Sequence, residues 1–232
     1  MNPLILALDT DDLDTACLWI ESTNSAIKTY KAGLEFFLSF GSDGIAKLRT
    51  AGDFDLFLDL KLHDIPHTVA GAAKAVLHIK PKFLTVHASG GSAMITSAVE
   101  AAPAIDITAV TILTSLDSLA LNEIGFDSSP MDSAVHLAEL AVKAGARAIV
   151  SSPREVSAIR DRVGAEVTII TPGVRPAGSA LGDQSRVMTP RDAIAAGSTY
   201  LVIGRPITSL HHEGPDAMRS RAQEILDEAT SS

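Results

Sequence analysis

Cysteine, aromatic residues and positive charge are all scarce in this chain of 232 residues. The single cysteine, Cys17, excludes an intramolecular disulfide and agrees with a reducing compartment. On a helical pattern beside Trp19 and Ile20 it reads as a small core residue. Aromatic residues make up only 4% of a sequence that is 46% hydrophobic, so any large core is built from aliphatic side chains. Lys and Arg together number 19 against 28 Asp and Glu, a net charge of -9 at pH 7. That balance offers no overall attraction to nucleic acid or anionic lipid, so an anionic ligand must be met by a local basic cluster. No apolar run approaches the roughly 18 residues that a membrane helix needs. The first residues, Met1-Asn2-Pro3-Leu4, carry no basic region before their short apolar run. A soluble cytoplasmic protein with no membrane partner is expected.

Apolar runs with strand character recur at Leu4 to Leu8, Ile27 to Tyr30, Phe54 to Leu60, Phe83 to His87, Ile105 to Leu113, Ala146 to Val150, Val167 to Thr171 and Tyr200 to Ile203. Segments with helical periodicity separate them, and no linker or composition shift marks a second domain. Ser152-Pro153-Arg154-Glu155 offers an N-cap, proline at the first helical position and a capping-box Glu, with Gly164 closing the segment; Thr189-Pro190 to Gly197 repeats the scheme. The strands are continuous apolar runs, as expected where helices cover the outer face of a parallel sheet. Strand-then-helix units of this number predict an α/β protein with a single (β/α)8 TIM barrel over residues 1–232. An open doubly wound sheet is the alternative, weakened by the absence of a Gly-x-Gly-x-x-Gly loop after the first strand.

Barrel chemistry sits at the C-terminal ends of the strands. The first three ends supply Asp9, Lys31, and Asp59 with Lys61, charges of alternating sign around one mouth. Strand alternation places Asp59 and Lys61 on one face and Leu58 and Leu60 on the other, with Asp64 a short turn later. Buried charges are costly unless they neutralise one another or perform a function, so a structural ion-pair network is the plain alternative to a catalytic array. The fourth end carries His87, Ser89, Gly90 and Gly91, and the fifth Thr114 and Ser115. At the eighth end, Gly204 and Arg205 suit a phosphate, because glycine admits close backbone approach and a helix start presents amide donors. A tight turn with a solvated arginine is the other reading there. The stretch at about 172–188, holding Gly173, Arg175, Gly178, Gly182 and Gln184, is long for a connection and reads as a lid over the phosphate.

With these residues placed, the chain resembles the orotidine 5'-monophosphate decarboxylase family over nearly its whole length. The carriers are Ala7-Leu8-Asp9, Tyr30-Lys31-Ala32-Gly33, Asp59-Leu60-Lys61-Leu62-His63-Asp64-Ile65-Pro66 with His67 and Thr68, Thr85 to Gly91, Val110 to Ser115, Thr171 to Pro176 and Ile203 to Pro206. One departure is His67, where related sequences often have Asn; no catalytic role is expected of it. The resemblance implies a cofactor-free decarboxylation of orotidine 5'-monophosphate to uridine 5'-monophosphate and carbon dioxide, in pyrimidine biosynthesis. It implies that Lys61 donates the proton to C6, flanked by Asp59 and by Asp64 from the second subunit of a homodimer, with Lys31 in the same array. Asp9 and Lys31, helped by the partner subunit's Asp64 and Thr68, would hold ribose hydroxyls. Thr114 would read the pyrimidine, with Ser115 as the adjacent alternative, and Arg175, Gln184, Gly204 and Arg205 would hold the phosphate, Gln184 bridging phosphate and base.

Barrel enzymes acting on sugar phosphates share an Asp-x-Lys-x-x-Asp pattern but use Mg2+, and Asp59, Lys61 and Asp64 satisfy that looser pattern too. The added His63, Ile65-Pro66 and Thr68 favour the nucleotide enzyme. A non-catalytic phosphate-binding barrel would not need the full charge array. His63, His67 and His87 tempt a metal reading, yet no His-x-x-x-His or paired-Cys spacing supports zinc, and no metal is expected. His87 reads as a hydrogen-bonded strand-end residue, His211-His212 as a solvated pair, and Phe36, Phe37 and Phe40 as core or dimer packing.

Overall fold

The computed structural model describes residues 2–176 and 188–231. Its strands are β1 (Leu4–Ala7), β2 (Thr29–Gly33), β3 (Asp55–Leu62), β4 (Phe83–His87), β5 (Asp106–Val110), β6 (Ala148–Val150), β7 (Thr168–Pro172) and β8 (Tyr200–Ile203). The helices are α1 (Leu13–Thr23), α2 (Leu34–Thr50), α3 (Pro66–Ala75), α4 (Gly91–Ala101), α5 (Ser118–Glu123), α6 (Pro130–Lys143), α7 (Val156–Val163), α8 (Pro190–Ala195), α9 (Arg205–Thr208) and α10 (Pro215–Thr230). All neighbouring strands pair in parallel in sequence order, and β1 with β8 closes the barrel. The expected (β/α)8 fold is therefore the one observed.

Alternation along each strand sorts the core into two parts. Ile5, Phe57, Phe83, Ala148, Ile170 and Tyr200 point inward and fill the barrel, with edge-on contacts of Phe83 to Phe57 and to Tyr200. Leu4, Leu6, Leu56, Leu58, Leu84, Ile107 and Ile149 point outward, under the helices. Cys17 and Phe36 are buried in this outer layer, with Phe37 and Phe40 packed at its edge. Strand ends differ from the apolar runs where polar residues continue a ladder. β2 reaches Gly33 because Lys31, Ala32 and Gly33 pair with Phe57, Leu58 and Asp59. β5 stops at Val110, short of the expected Leu113.

Of the two helix caps expected from the sequence, one forms as its chemistry predicts and the other does not. Thr189 accepts the Asp192 N–H at 3.2 Å and starts α8 ahead of Pro190. Ser152 does not cap α7, which begins only at Val156. Residues 153–155 form a turn instead; Glu155 still reaches back to the Ser152 N–H at 3.2 Å, while the buried Ser152 hydroxyl finds no partner among the described residues. Gly164 ends α7 with φ of 83°, a conformation that favours glycine.

Beyond that end, the Arg160 guanidinium ties the helix to two loops. It donates to the carbonyls of Gly164, Val167 and Gly197 and to the Thr199 hydroxyl, at 2.7 to 3.2 Å. Arg160→Ala leaves several of these acceptors without a donor and should cost about 2–4 kcal/mol, a fall of roughly 5–15 °C in a thermal melt. An unchanged melting temperature would show that water replaces the clamp.

Candidate active site

The mouth of the barrel is assembled from strand ends. Lys31, in the middle of β2, holds its ammonium 3.0 Å from Asp9 Oδ1, just beyond β1, and 3.5 Å from Asp59 Oδ2 on β3. Lys61 Nζ lies 2.8 and 2.9 Å from the two oxygens of Asp59. The chain Asp9, Lys31, Asp59, Lys61 thus alternates in sign through direct contacts. The side chains of Lys31 and Asp59 are each 12% exposed, against 30% for Lys61 and 62% for Asp9. Burial opposes the charge on Lys31, yet Asp59 and Asp9 outweigh it and raise the ammonium above its ordinary range. Burial likewise opposes the Asp59 charge, and Lys31 and Lys61 outweigh it, holding the carboxyl below its ordinary range. A Cβ at Gly33 would stand 3.1 Å from Lys31 Nζ, so glycine there leaves room for the ammonium.

Asp59 and Lys61 do face the same cavity, but not through regular alternation. β3 pairs Leu58 with Leu84 and then Leu62 with Val86, so three residues of β3 stand opposite Thr85 alone. Lys61 within this bulge has φ of 49°, the left-handed region, which costs a residue other than glycine about 1–3 kcal/mol. Thr85 accepts the Lys61 N–H at 2.7 Å and donates to Asp59 Oδ1 at 3.0 Å. No strand-end argument reaches Thr85, because it sits in mid-strand and only the bulge brings it against the array.

A cavity of about 320 Å³ opens above these groups. Among the residues singled out in the sequence, Asp9, Lys31, Asp59, Lys61, Thr114, Arg175, Gly204 and Arg205 line it. Ile112, Val150 and Phe57 supply apolar wall, and Ser151 at the end of β6 adds a polar group that the sequence did not single out. Thr114 rather than Ser115 reaches the cavity. Arg175 is held by its backbone, whose N–H bonds the Met188 carbonyl at 3.0 Å beside a bridge from Val174 to Met188. Gly178, Gly182 and Gln184 lie outside the described residues. Asp64 and Thr68 do not line the cavity of their own chain: both are exposed, and Asp64 Oδ1 accepts the Ile65 N–H at 2.6 Å.

The histidines are dispersed. His87 is half-buried at the end of β4, its ring 5.4 Å from that of His63, and burial followed by the charges of His63 and Lys61 pushes its pKa down. Among the described residues His87 makes no side-chain hydrogen bond of the kind expected, and the ring of His63 is its neighbour instead. His67 is exposed on the first turn of α3. His211 is half-buried where a solvated residue was expected: it packs edge-on against Trp19 at 6.2 Å, leaving His212 as the exposed member of the pair. Among the described residues no group of three or more His, Cys, Asp or Glu could hold a metal ion.

A closed barrel that gathers an alternating charge array and two arginines around one cavity at the C-terminal ends of its strands has the architecture of a TIM-barrel enzyme. The family model described as "Orotidine 5'-phosphate decarboxylase / HUMPS family" matches residues 2–216, and the chain belongs to that family. It is 52% identical over 221 residues to the orotidine 5'-phosphate decarboxylase of Thermobifida fusca (strain YX), covering 95% of each chain. The enzyme of the same name from Moorella thermoacetica is 45% identical over 237 residues, covering 97% of this chain and 92% of the relative. The crystal structure of orotidine 5'-phosphate decarboxylase from Lactobacillus acidophilus superposes with a TM-score of 0.85 at 34% identity and covers 100% of both chains.

Proposed function

We infer that this barrel converts orotidine 5'-monophosphate to uridine 5'-monophosphate and carbon dioxide, the decarboxylation that completes pyrimidine nucleotide synthesis, with Lys61 as the proton donor. The observation that carries the assignment of Lys61 is its ammonium, held by both Asp59 oxygens at the wall of the cavity. Loss of carbon dioxide from C6 leaves an electron pair in the ring plane, poorly delocalised into the π system. A fixed ammonium stabilises that charge as it develops and then supplies the proton. Asp59 on one side, and Asp64 from a second copy on the other, favour the charged amine. Thr114 reads the pyrimidine, Asp9 and Lys31 hold the ribose, and Gly204, Arg175 and Arg205 take the phosphate. The segment 172–188, with Gln184, serves as the lid, converting phosphate binding energy into transition-state stabilisation.

The position of Asp64 and Thr68 outside their own cavity supports a homodimer with shared sites. So do the exposed apolar side chains Leu34, Leu38 and Ile65 at the starts of α2 and α3. No described helix is long and apolar enough to cross a membrane, in keeping with a cytoplasmic enzyme. The direct test follows loss of orotidine 5'-monophosphate by ultraviolet absorbance, with and without a chelator. Turnover unaffected by chelation is expected; chelator-sensitive turnover of a sugar phosphate would favour the Mg2+-dependent branch of the family. Sharing is tested by mixing inactive Lys61→Ala and Asp64→Ala chains, refolded together. Random pairing should restore about a quarter of the parental sites, and no recovery would argue for self-contained subunits.

A further inference from the structure

The Thr85 hydroxyl occupies a position in which its hydrogen-bonding directions are determined. A backbone N–H can only donate, so Lys61 gives its amide proton to Thr85 Oγ1 at 2.7 Å. The one hydroxyl proton is then left for Asp59 Oδ1 at 3.0 Å. Asp59 Oδ1 also receives the Lys61 ammonium at 2.8 Å. These contacts close a ring that starts at the Lys61 backbone, passes through Thr85 and Asp59, and returns to the head of the same lysine. Thr85 is fully buried, so water has no ready access to replace it. The bulge explains why a side chain is needed: opposite Thr85 the regular ladder of β3 and β4 is interrupted, and the Lys61 N–H takes the hydroxyl as its partner.

We propose that Thr85 is a positioning residue for the decarboxylation, its hydroxyl fixing both the backbone of Lys61 and the Asp59 carboxylate that aims the Lys61 ammonium into the cavity. The inference rests on Lys61 being the proton donor. Thr85 does not line the cavity, so its contribution acts through Lys61 and belongs to the chemical step more than to binding. Valine has nearly the shape of threonine but lacks the hydroxyl; it removes the acceptor of the part-buried Lys61 N–H and leaves Asp59 Oδ1 without one donor. A misplacement of the donor by a fraction of an ångström is enough to slow proton delivery.

Thr85→Val, Thr85→Ser and Lys61→Ala are compared with the parent for kcat and KM with orotidine 5'-monophosphate, for inhibition by uridine 5'-monophosphate, and by circular dichroism. In folded Thr85→Val, kcat should fall about 10- to 100-fold while KM and product inhibition stay within about threefold. Thr85→Ser, which keeps the hydroxyl, should recover kcat to within about fivefold of the parent. Should valine prevent folding, Thr85→Cys, a weaker donor and acceptor, takes its place with the same expectation. An inactive Lys61→Ala beside a Thr85→Val variant with parental kcat overturns the role of Thr85 alone. Equal losses in the serine and valine variants do so as well, since they trace to packing. Near-parental turnover in Lys61→Ala instead overturns the proton-donor assignment, and the role of Thr85 with it.

Discussion

Lys61→Ala is expected to lower turnover of orotidine 5'-monophosphate by about 10⁴- to 10⁷-fold while leaving the barrel folded. A positioned general acid contributes about 10²–10⁴, and a fixed charge at the site of developing negative charge about 10²–10³ more. In this site one ammonium supplies both. The variant should still fold, because Asp59 keeps Lys31 at 3.5 Å and the Thr85 hydroxyl at 3.0 Å, so its carboxylate is not left buried and alone. Single-turnover kinetics with circular dichroism decide the matter. Near-parental turnover in a folded variant would remove Lys61 from the mechanism, and with it the account of why the array alternates in sign.

Arg205→Ala should reduce kcat/KM for orotidine 5'-monophosphate by about 10²–10⁴, the consequence of withdrawing a cation from a bound phosphate dianion. Arg205 stands at the start of α9, directly after Gly204 and across the mouth of the same cavity that Lys61 lines. The loss should depend on the phosphate. With orotidine, the nucleoside that lacks it, parent and variant should differ by less than about threefold. Inorganic phosphite, occupying the dianion position separately, should accelerate orotidine decarboxylation by the parent and fail to do so in the variant. Equal losses on the nucleotide and the nucleoside would assign Arg205 a structural role instead.

Most of the barrel was legible in the chain because a parallel strand buried on both faces leaves a continuous apolar run, and each run is followed by helical periodicity. Phe83 to His87 and Tyr200 to Ile203 are observed with the predicted limits. Limits elsewhere moved where pairing, which is not local, carried polar residues into a ladder, as with Lys31 in β2. Capping was legible at Thr189 and misleading at Ser152, where the turn preceding α7 uses only the Glu155 half of the box. His211 was misread because its neighbour Trp19 is almost two hundred positions away in the chain.

At the site, the sequence by itself determined which charged and hydroxyl groups stand at strand ends, and so which could meet. Hydrophobic period and residue type are local properties and needed no fold to be read. Only the tertiary structure decided that Asp9, Lys31, Asp59 and Lys61 are in direct contact, that Thr114 and not Ser115 reaches the cavity, and that Asp64 and Thr68 turn away from it. It alone produced the bulge that puts Lys61 in left-handed backbone and Thr85 beneath it. The physical reason is register: barrel closure sets the stagger between strands far apart in sequence, and the extra residues in β3 appear only against the partner strand that they fail to match.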